Sequence, residues 1–318
     1  MNFLESSLKP KTSLWYYILT ILIALIAANF IGAIPYISVI FYQGLQNGFS
    51  IQEISANMTN ITVLGISKNV ALGLLLFSFV VGLFAMIPFF KIFNKRTLKE
   101  VINGTNKIRW SHFFWGAGVW TIVMAVLLLI DYLVNPSNFT INFNPVSFFI
   151  LLLISLVLIP LQTSFEEISF RGYLAQGIAG ATGSRIFSIF IPSVLFGLMH
   201  SLNPEVAAYG FFSVMPQYIF FGLLFGIMAT LDDGIELPMG VHAANNIFLS
   251  LFVTNQSSAL QTDAIFTQLS MDPMKELISL IICGMLICIF FGRKYKWSFS
   301  ILSERVTLSE KHEIEDRW

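Results

Sequence analysis

The feature that most constrains this 318-residue chain is a succession of apolar runs near the about 20 residues that a helix needs to cross a hydrocarbon core. Eight such runs can be read, at roughly 14–41, 70–90, 113–134, from 146 onward, 186–200, 209–231, 239–253 and 277–292. They are continuous and not alternating, which excludes a membrane-spanning barrel. Backbone groups in lipid must bond within their own segment, so a helical bundle remains. Composition agrees. Charged residues make up 11% of the chain and hydrophobic ones 56%, with a mean hydropathy of +0.75; an ordinary soluble domain carries about 25% charge. The expectation is an all-α, multi-pass integral protein of the cell membrane, one bundle of eight helices in a lipid bilayer.

The few charges carry topology. Lys+Arg and Asp+Glu balance at 18 each, which points to no nucleic-acid partner. Lys9 and Lys11 precede the first run. Lys91, Lys95, Arg96, Lys99, Lys107 and Arg109 lie between the second and third, Arg171 and Arg185 at the junction of the fourth and fifth, and Arg293, Lys294, Lys296, Arg305, Lys311 and Arg317 after the eighth. Only Lys68 and Lys275 fall on the other side. By the positive-inside rule both termini are expected in the cytoplasm, which an even number of spans requires. The first run extends through Pro35 to Phe41, too long for a cleaved signal peptide, and is expected as a retained helix. Tyr295, Trp297 and Trp15 to Tyr17 fit interfacial anchors. Asp131 and His112 fit boundary residues, His312 fits a solvated tail, and Cys283 and Cys288 fit small hydrophobes within a helix. Three regions follow: helices 1–3 with an external loop at 43–68 (residues 1–145), a core of helices 4–7 (146–254), and a last helix with a charged tail (255–318).

Ionisable residues at membrane depth are functional candidates by default. Glu167 and Arg171 are four apart with the acid N-terminal, the favourable order for an ion pair on one helix face. Glu166 points about 100° away from Glu167 and has no local cation, which suits a general base. The plain alternative is that both acids only form an ion-pair network with Arg171 and Arg185. Counting helical rise from the Gly180–Gly183 turn sets Glu166 and His200 at similar heights, and His242 enters from the same side. Phe196 and His200 share a helix face, as do His242 and Asn246; Asn245 is the second choice beside Asn246. A histidine next to an amide suits an oxyanion, and an acid with a second histidine suits activation of a water.

These residues, as Glu166-Glu167-x-x-x-Arg171, Phe196-x-x-x-His200 and His242-x-x-x-Asn246 in order on successive helices, resemble the CPBP family of CAAX-protease and bacteriocin-processing membrane proteins, also called Abi or Ras-converting-enzyme-type proteases. The resemblance covers about 146–251. It implies an intramembrane endopeptidase acting on a peptide or membrane-protein substrate, with Glu166 and His200 activating water, His242 and Asn246 at the oxyanion, and Glu167, Arg171 and Phe196 in support. Family members are often labelled metalloproteases, so Glu166, His200 and His242 could hold zinc with one open position. No HExxH occurs, and hydrolysis without a metal is the favoured expectation. Two other classes are open: a non-catalytic bacteriocin-immunity or scaffold protein, and a transporter using the same groups as a proton relay. The transporter lacks the inverted repeat such folds show.

Overall fold

The computed structural model describes residues 3–9, 12–58 and 61–308. Lys11, Lys311, His312 and Arg317 lie outside the described residues. Eight helices of 15 residues or more organise the described residues: α1 (Leu14–Gln46), α2 (Lys68–Asn94), α3 (Trp110–Val134), α4 (Pro145–Thr182), α5 (Arg185–Met199), α6 (Phe211–Leu231), α7 (Glu236–Phe252) and α8 (Pro273–Tyr295). Among the described residues six are long and apolar enough to cross a membrane. The other two, α5 and α7, have 15 and 17 residues. They are short of the about 20 residues of an upright crossing, and both carry groups of the candidate site.

Helix ends follow local chemistry. The side chains of Ser13, Ser67, Asn144, Ser184 and Asp272 cap the N-termini of α1, α2, α4, α5 and α8. Gly183 closes α4 in the left-handed conformation at φ 64°. Two helices carry a π-helical turn, a feature the apolar pattern does not announce. In α1 it spans Ala27–Gly32, just before Pro35, which has no N–H to give and crowds the preceding turn. In α4 it spans Ile168–Leu174, immediately after Glu167. The stretch expected as a plain loop at 43–68 holds the helix Ile51–Ala56, started by a reciprocal Ser50 and Glu53 cap, over a small core of Ile40, Ile54 and Leu64. A three-stranded sheet, β1 (Phe139–Ile141), β2 (Val253–Thr254) and β3 (Phe266–Gln268), joins the loops after α3 and α7; its order is β1-β3-β2.

Water gives no drive between helices in lipid, so close packing must hold them. Glycines supply it. A Cβ on Gly116 of α3 would sit 2.5 Å from the Leu237 carbonyl of α7, and one on Gly240 of α7 would collide with the α3 backbone at Phe113. Gly197, Gly222 and Gly226 bring α5 and α6 together in the same way, against Ile219, Ser193 and Ile189. At Gly222 the added carbon would lie 2.7 Å from the Ser193 Cα, which is backbone and cannot swing away. Gly222→Ala is therefore expected to cost about 1–3 kcal/mol by overpacking, read as earlier thermal unfolding of the detergent-solubilised protein. Large apolar side chains such as Ile122, Leu129, Leu153, Val157 and Leu286 are exposed on the outer faces, where lipid would cover them.

The basic residues do more than mark a side. Arg185 pairs with Glu5, and Arg96 is bound to Gln176 (2.7 Å) and to the Ser6 carbonyl. Burial presses the Arg96 guanidinium below its usual range, against the opposing pull of Tyr17, Tyr173 and Glu100. Arg109 binds Glu236 at 2.5 Å and Asp232 at 3.3 Å; burial works against its charge, but the three acids Glu236, Asp232 and Asp233 prevail and hold it above the ordinary arginine range. This fastens the start of α7. His112 also binds Asp232, at 2.8 Å, and stacks on Tyr295. Trp297 donates to Asp232 and so is a tether as well as an aromatic at the helix end. Tyr17 is 1% exposed and packs on Tyr173, while Trp15 and Tyr16 are exposed. Consecutive helical residues point about 100° apart, so all three could not face lipid. Cys283 lies in the core and Cys288 packs beside it, both as free thiols.

Candidate active site

On α4, Gln162 and Glu166 are one turn apart, and Gln162 Nε2 donates to Glu166 Oε1 at 2.7 Å. The next residue, Glu167, faces inward with no exposure and accepts from Arg171 Nη1 at 2.8 Å. Arg185, already paired with Glu5, is no part of this cluster. The Arg171 guanidinium lies 4.0 Å from the Phe196 ring centre and 5.3 Å from that of Phe225. Aromatic faces thus take over part of the solvation that water would give the cation.

His242 on α7 is 6% exposed and joins the two glutamates. Its Nδ1 lies 2.8 Å from Glu167 Oε1, and a carboxylate oxygen accepts, so the ring proton on this side points at Glu167. That fixes the other nitrogen. Nε2 faces Glu166 Oε2 at 3.5 Å and Asn246 Nδ2 at 3.5 Å. Asn246 Nδ2 in turn donates to Gln162 Oε1 at 3.2 Å. Asn245 donates to Asn246 Oδ1 and accepts from Trp120 Nε1, both at 3.1 Å. The result is one hydrogen-bonded chain of side chains from Trp120 on α3 to Arg171 on α4, running through α7.

His200 follows the last residue of α5. Its Nδ1 donates to the Phe196 carbonyl at 2.8 Å, one of the acceptors a helix end leaves free, and Nε2 remains available. Among the described residues Glu166 and His200 share no hydrogen bond or ion pair; the acid's partners are Gln162 and His242. Phe196 connects the two histidines, with ring centres 4.6 Å from His200 and 6.1 Å from His242. The His200 ring also stacks on Tyr218, at 4.3 Å and 22°. Four residues of this neighbourhood were not singled out from the sequence: Gln162, Trp120, Tyr218 and Phe225. The first had a readable signal, an amide one turn before Glu166 in an apolar helix. The aromatics had none in a chain with 32 Phe, 9 Tyr and 6 Trp.

Zinc has a poor fit here. Among the described residues no group of three or more His, Cys, Asp or Glu is arranged to hold a metal ion. His242 Nδ1 is held by Glu167 and His200 Nδ1 by a carbonyl, which leaves Nε2 on each ring; Glu166 faces His242 Nε2 at 3.5 Å but shares no hydrogen bond or ion pair with His200 among the described residues, so the three do not stand together as a ligand set.

Residues 145–248 match the family described as "Type II CAAX prenyl endopeptidase Rce1-like". That window holds Glu166, Glu167, Arg171, Phe196, His200, His242 and Asn246. Over 304 residues the chain is 27% identical to the "Uncharacterized protein YyaK" of Bacillus subtilis (strain 168), covering 93% of this chain and 98% of that protein. No solved structure matches. The chain is therefore a multi-pass membrane protein whose residues 145–248 are similar to the Rce1-like family, a likeness that implies a protease acting on a protein or peptide.

Proposed function

We propose that this protein is an intramembrane endopeptidase that cleaves a peptide, or the end of a membrane-associated protein, from the cytoplasmic side, without a metal. The observation that carries the reading is the buried chain in which His242 ties Glu167 and Arg171 to Glu166, Gln162 and Asn246. A merely structural ion pair would end at Glu167 and Arg171. Here the pair fixes a histidine whose free nitrogen looks toward a second acid and an amide.

The chemistry follows from that arrangement. Glu166 takes a proton from water, with His200 Nε2 as its partner in orienting the nucleophile. The water oxygen bonds to the scissile carbonyl carbon, and the carbonyl π electrons move onto its oxygen. Asn246 Nδ2 donates to that oxyanion, and so does His242 Nε2 when the ring, held by Glu167 at Nδ1 and faced by Glu166 at Nε2, carries a proton on each nitrogen. The intermediate collapses, the C–N bond breaks, and the proton held by Glu166 passes to the leaving amine. Glu167 accepts from His242 Nδ1 throughout, and so keeps Nε2 aimed at the reacting oxygen. The basic end of the bundle, with Arg96, Arg109 and Arg185, is assigned to the cytoplasm, and eight spans bring both termini there.

Comparing membrane-associated peptides of cells carrying the wild type with those of cells carrying His242→Ala tests the reading. The expected result is loss of a set of products at unchanged protein level in the membrane. Identical peptide sets would rule out the protease and leave a binding or scaffold role.

A further inference from the structure

We propose that Tyr218, held by Glu205, is a positioning residue for His200. It keeps the imidazole as one tautomer with Nε2 free for the reaction. The assignment rests on the protease reading for its consequence in turnover, but its structural part stands on geometry alone.

His200 is a poor place to keep a catalytic ring still. It lies beyond the last residue of α5, on a chain already turning, and among the described residues its ring has one hydrogen bond, to the Phe196 carbonyl. The rest of its support comes from rings, and Tyr218 stacks closest and most nearly parallel. Tyr218 reaches it because α5 and α6 touch through glycine: an added Cβ on Gly197 would overlap Ile219, the neighbour of Tyr218.

The tyrosine is itself anchored. Its hydroxyl donates to Glu205 Oε1 and accepts from Asn203 Nδ2 at 3.0 Å. Asn203 also donates to Glu205 at 3.3 Å, and its backbone N–H binds the His200 carbonyl at 3.0 Å. The short helix Pro204–Tyr209 thus returns to the histidine through a carboxylate, an amide and a phenol. A phenol bound to a carboxylate is a charge-assisted contact, stronger than a neutral one. Apart from Tyr218 and Asn203, no described residue of the site binds Glu205, whose second oxygen is buried without a hydrogen-bond partner among the described residues. A polar group kept at that cost fits a task, and the task its partner performs is to hold the His200 ring.

The test uses the full chain in detergent with nitrogen-15-labelled histidine, and His200→Gln to assign the signal. Wild type is expected to show His200 as a single tautomer with the proton on Nδ1. Tyr218→Leu is expected to show a mixture of tautomers or an exchange-broadened signal. Tyr218→Phe and Glu205→Gln, which keep a ring in place but loosen its anchor, are expected to fall between. Thermal unfolding of each variant checks that it is folded; if Tyr218→Leu does not fold, the other two decide. Formation of the products lost in Glu166→Gln membranes is expected to drop about tenfold in kcat for Tyr218→Leu with KM little changed, and to recover in part with Phe. A single wild-type-like tautomer in every folded variant would overturn the proposal. Absence of any Glu166-dependent product in wild type would instead overturn the protease reading, with the tautomer measurement still deciding the role of Tyr218.

Discussion

Replacing Glu166 with Gln is expected to lower peptide cleavage by about 100- to 10,000-fold, the range that loss of a general base gives, while the protein inserts and folds as the wild type does. The separation of effects comes from the neighbours. Glu166 is partly exposed, and its contacts are a hydrogen bond from Gln162 and a 3.5 Å approach by His242. A glutamine there keeps an oxygen for the Gln162 amide and loses only the charge. It cannot take a proton from water at neutral pH. Cleavage measured on purified protein, beside its unfolding temperature, decides. Full activity in Glu166→Gln would end its assignment as the base. Equal losses of activity and stability would mark Glu166 as a structural acid of the same kind as Glu167.

Helix periodicity already separates these adjacent acids. Two neighbours on a helix face about 100° apart, and only the second has a basic residue four positions on. The ion pair between Glu167 and Arg171 is local and so can be read from spacing. The bond from His242 Nδ1 to Glu167 is not, because the two residues are 75 apart in sequence. It depends on α7 lying against α4, and on the backbone contact of Gly116 and Gly240 with the facing helix, which a pattern of apolar runs does not encode. Height along the bundle was readable by counting rise, and it brought His200 and His242 to one level with Glu166. Which histidine touches which acid was not readable: His242 takes both contacts, and His200 leans on rings. Apolar length also located α5 and α7 and already marked them as short runs, at 186–200 and 239–253. α5 ends just before His200, whereas α7 holds His242 and Asn246 within its length.

Removing Arg171 is expected to be the most destabilising single change in the site. The guanidinium and the Glu167 carboxylate are 1% and 0% exposed, so Arg171→Met would leave a carboxylate buried among apolar helices with only His242 beside it. Loss of one partner of a buried pair costs about 3–5 kcal/mol, more than many such proteins can spare. The pair itself is not especially strong. One N–H of Arg171 meets one oxygen of Glu167, while Nε, Nη2 and the second carboxylate oxygen have no hydrogen-bond partner among the described residues. Replacing both members by apolar residues should then recover much of the loss, as Glu167→Leu combined with Arg171→Met, because neither charge is left stranded. Activity should not recover with it, since the double variant takes away the acceptor of His242 Nδ1 and frees the ring to turn. Unfolding temperature and cleavage rate measured on the two single variants and the double form a cycle in which stability returns and catalysis does not. A double variant no more stable than Arg171→Met would show that the cation is held for its packing on Phe196 and Phe225. A double variant that cleaves as the wild type does would show that His242 needs no acceptor, and would remove Glu167 from the site.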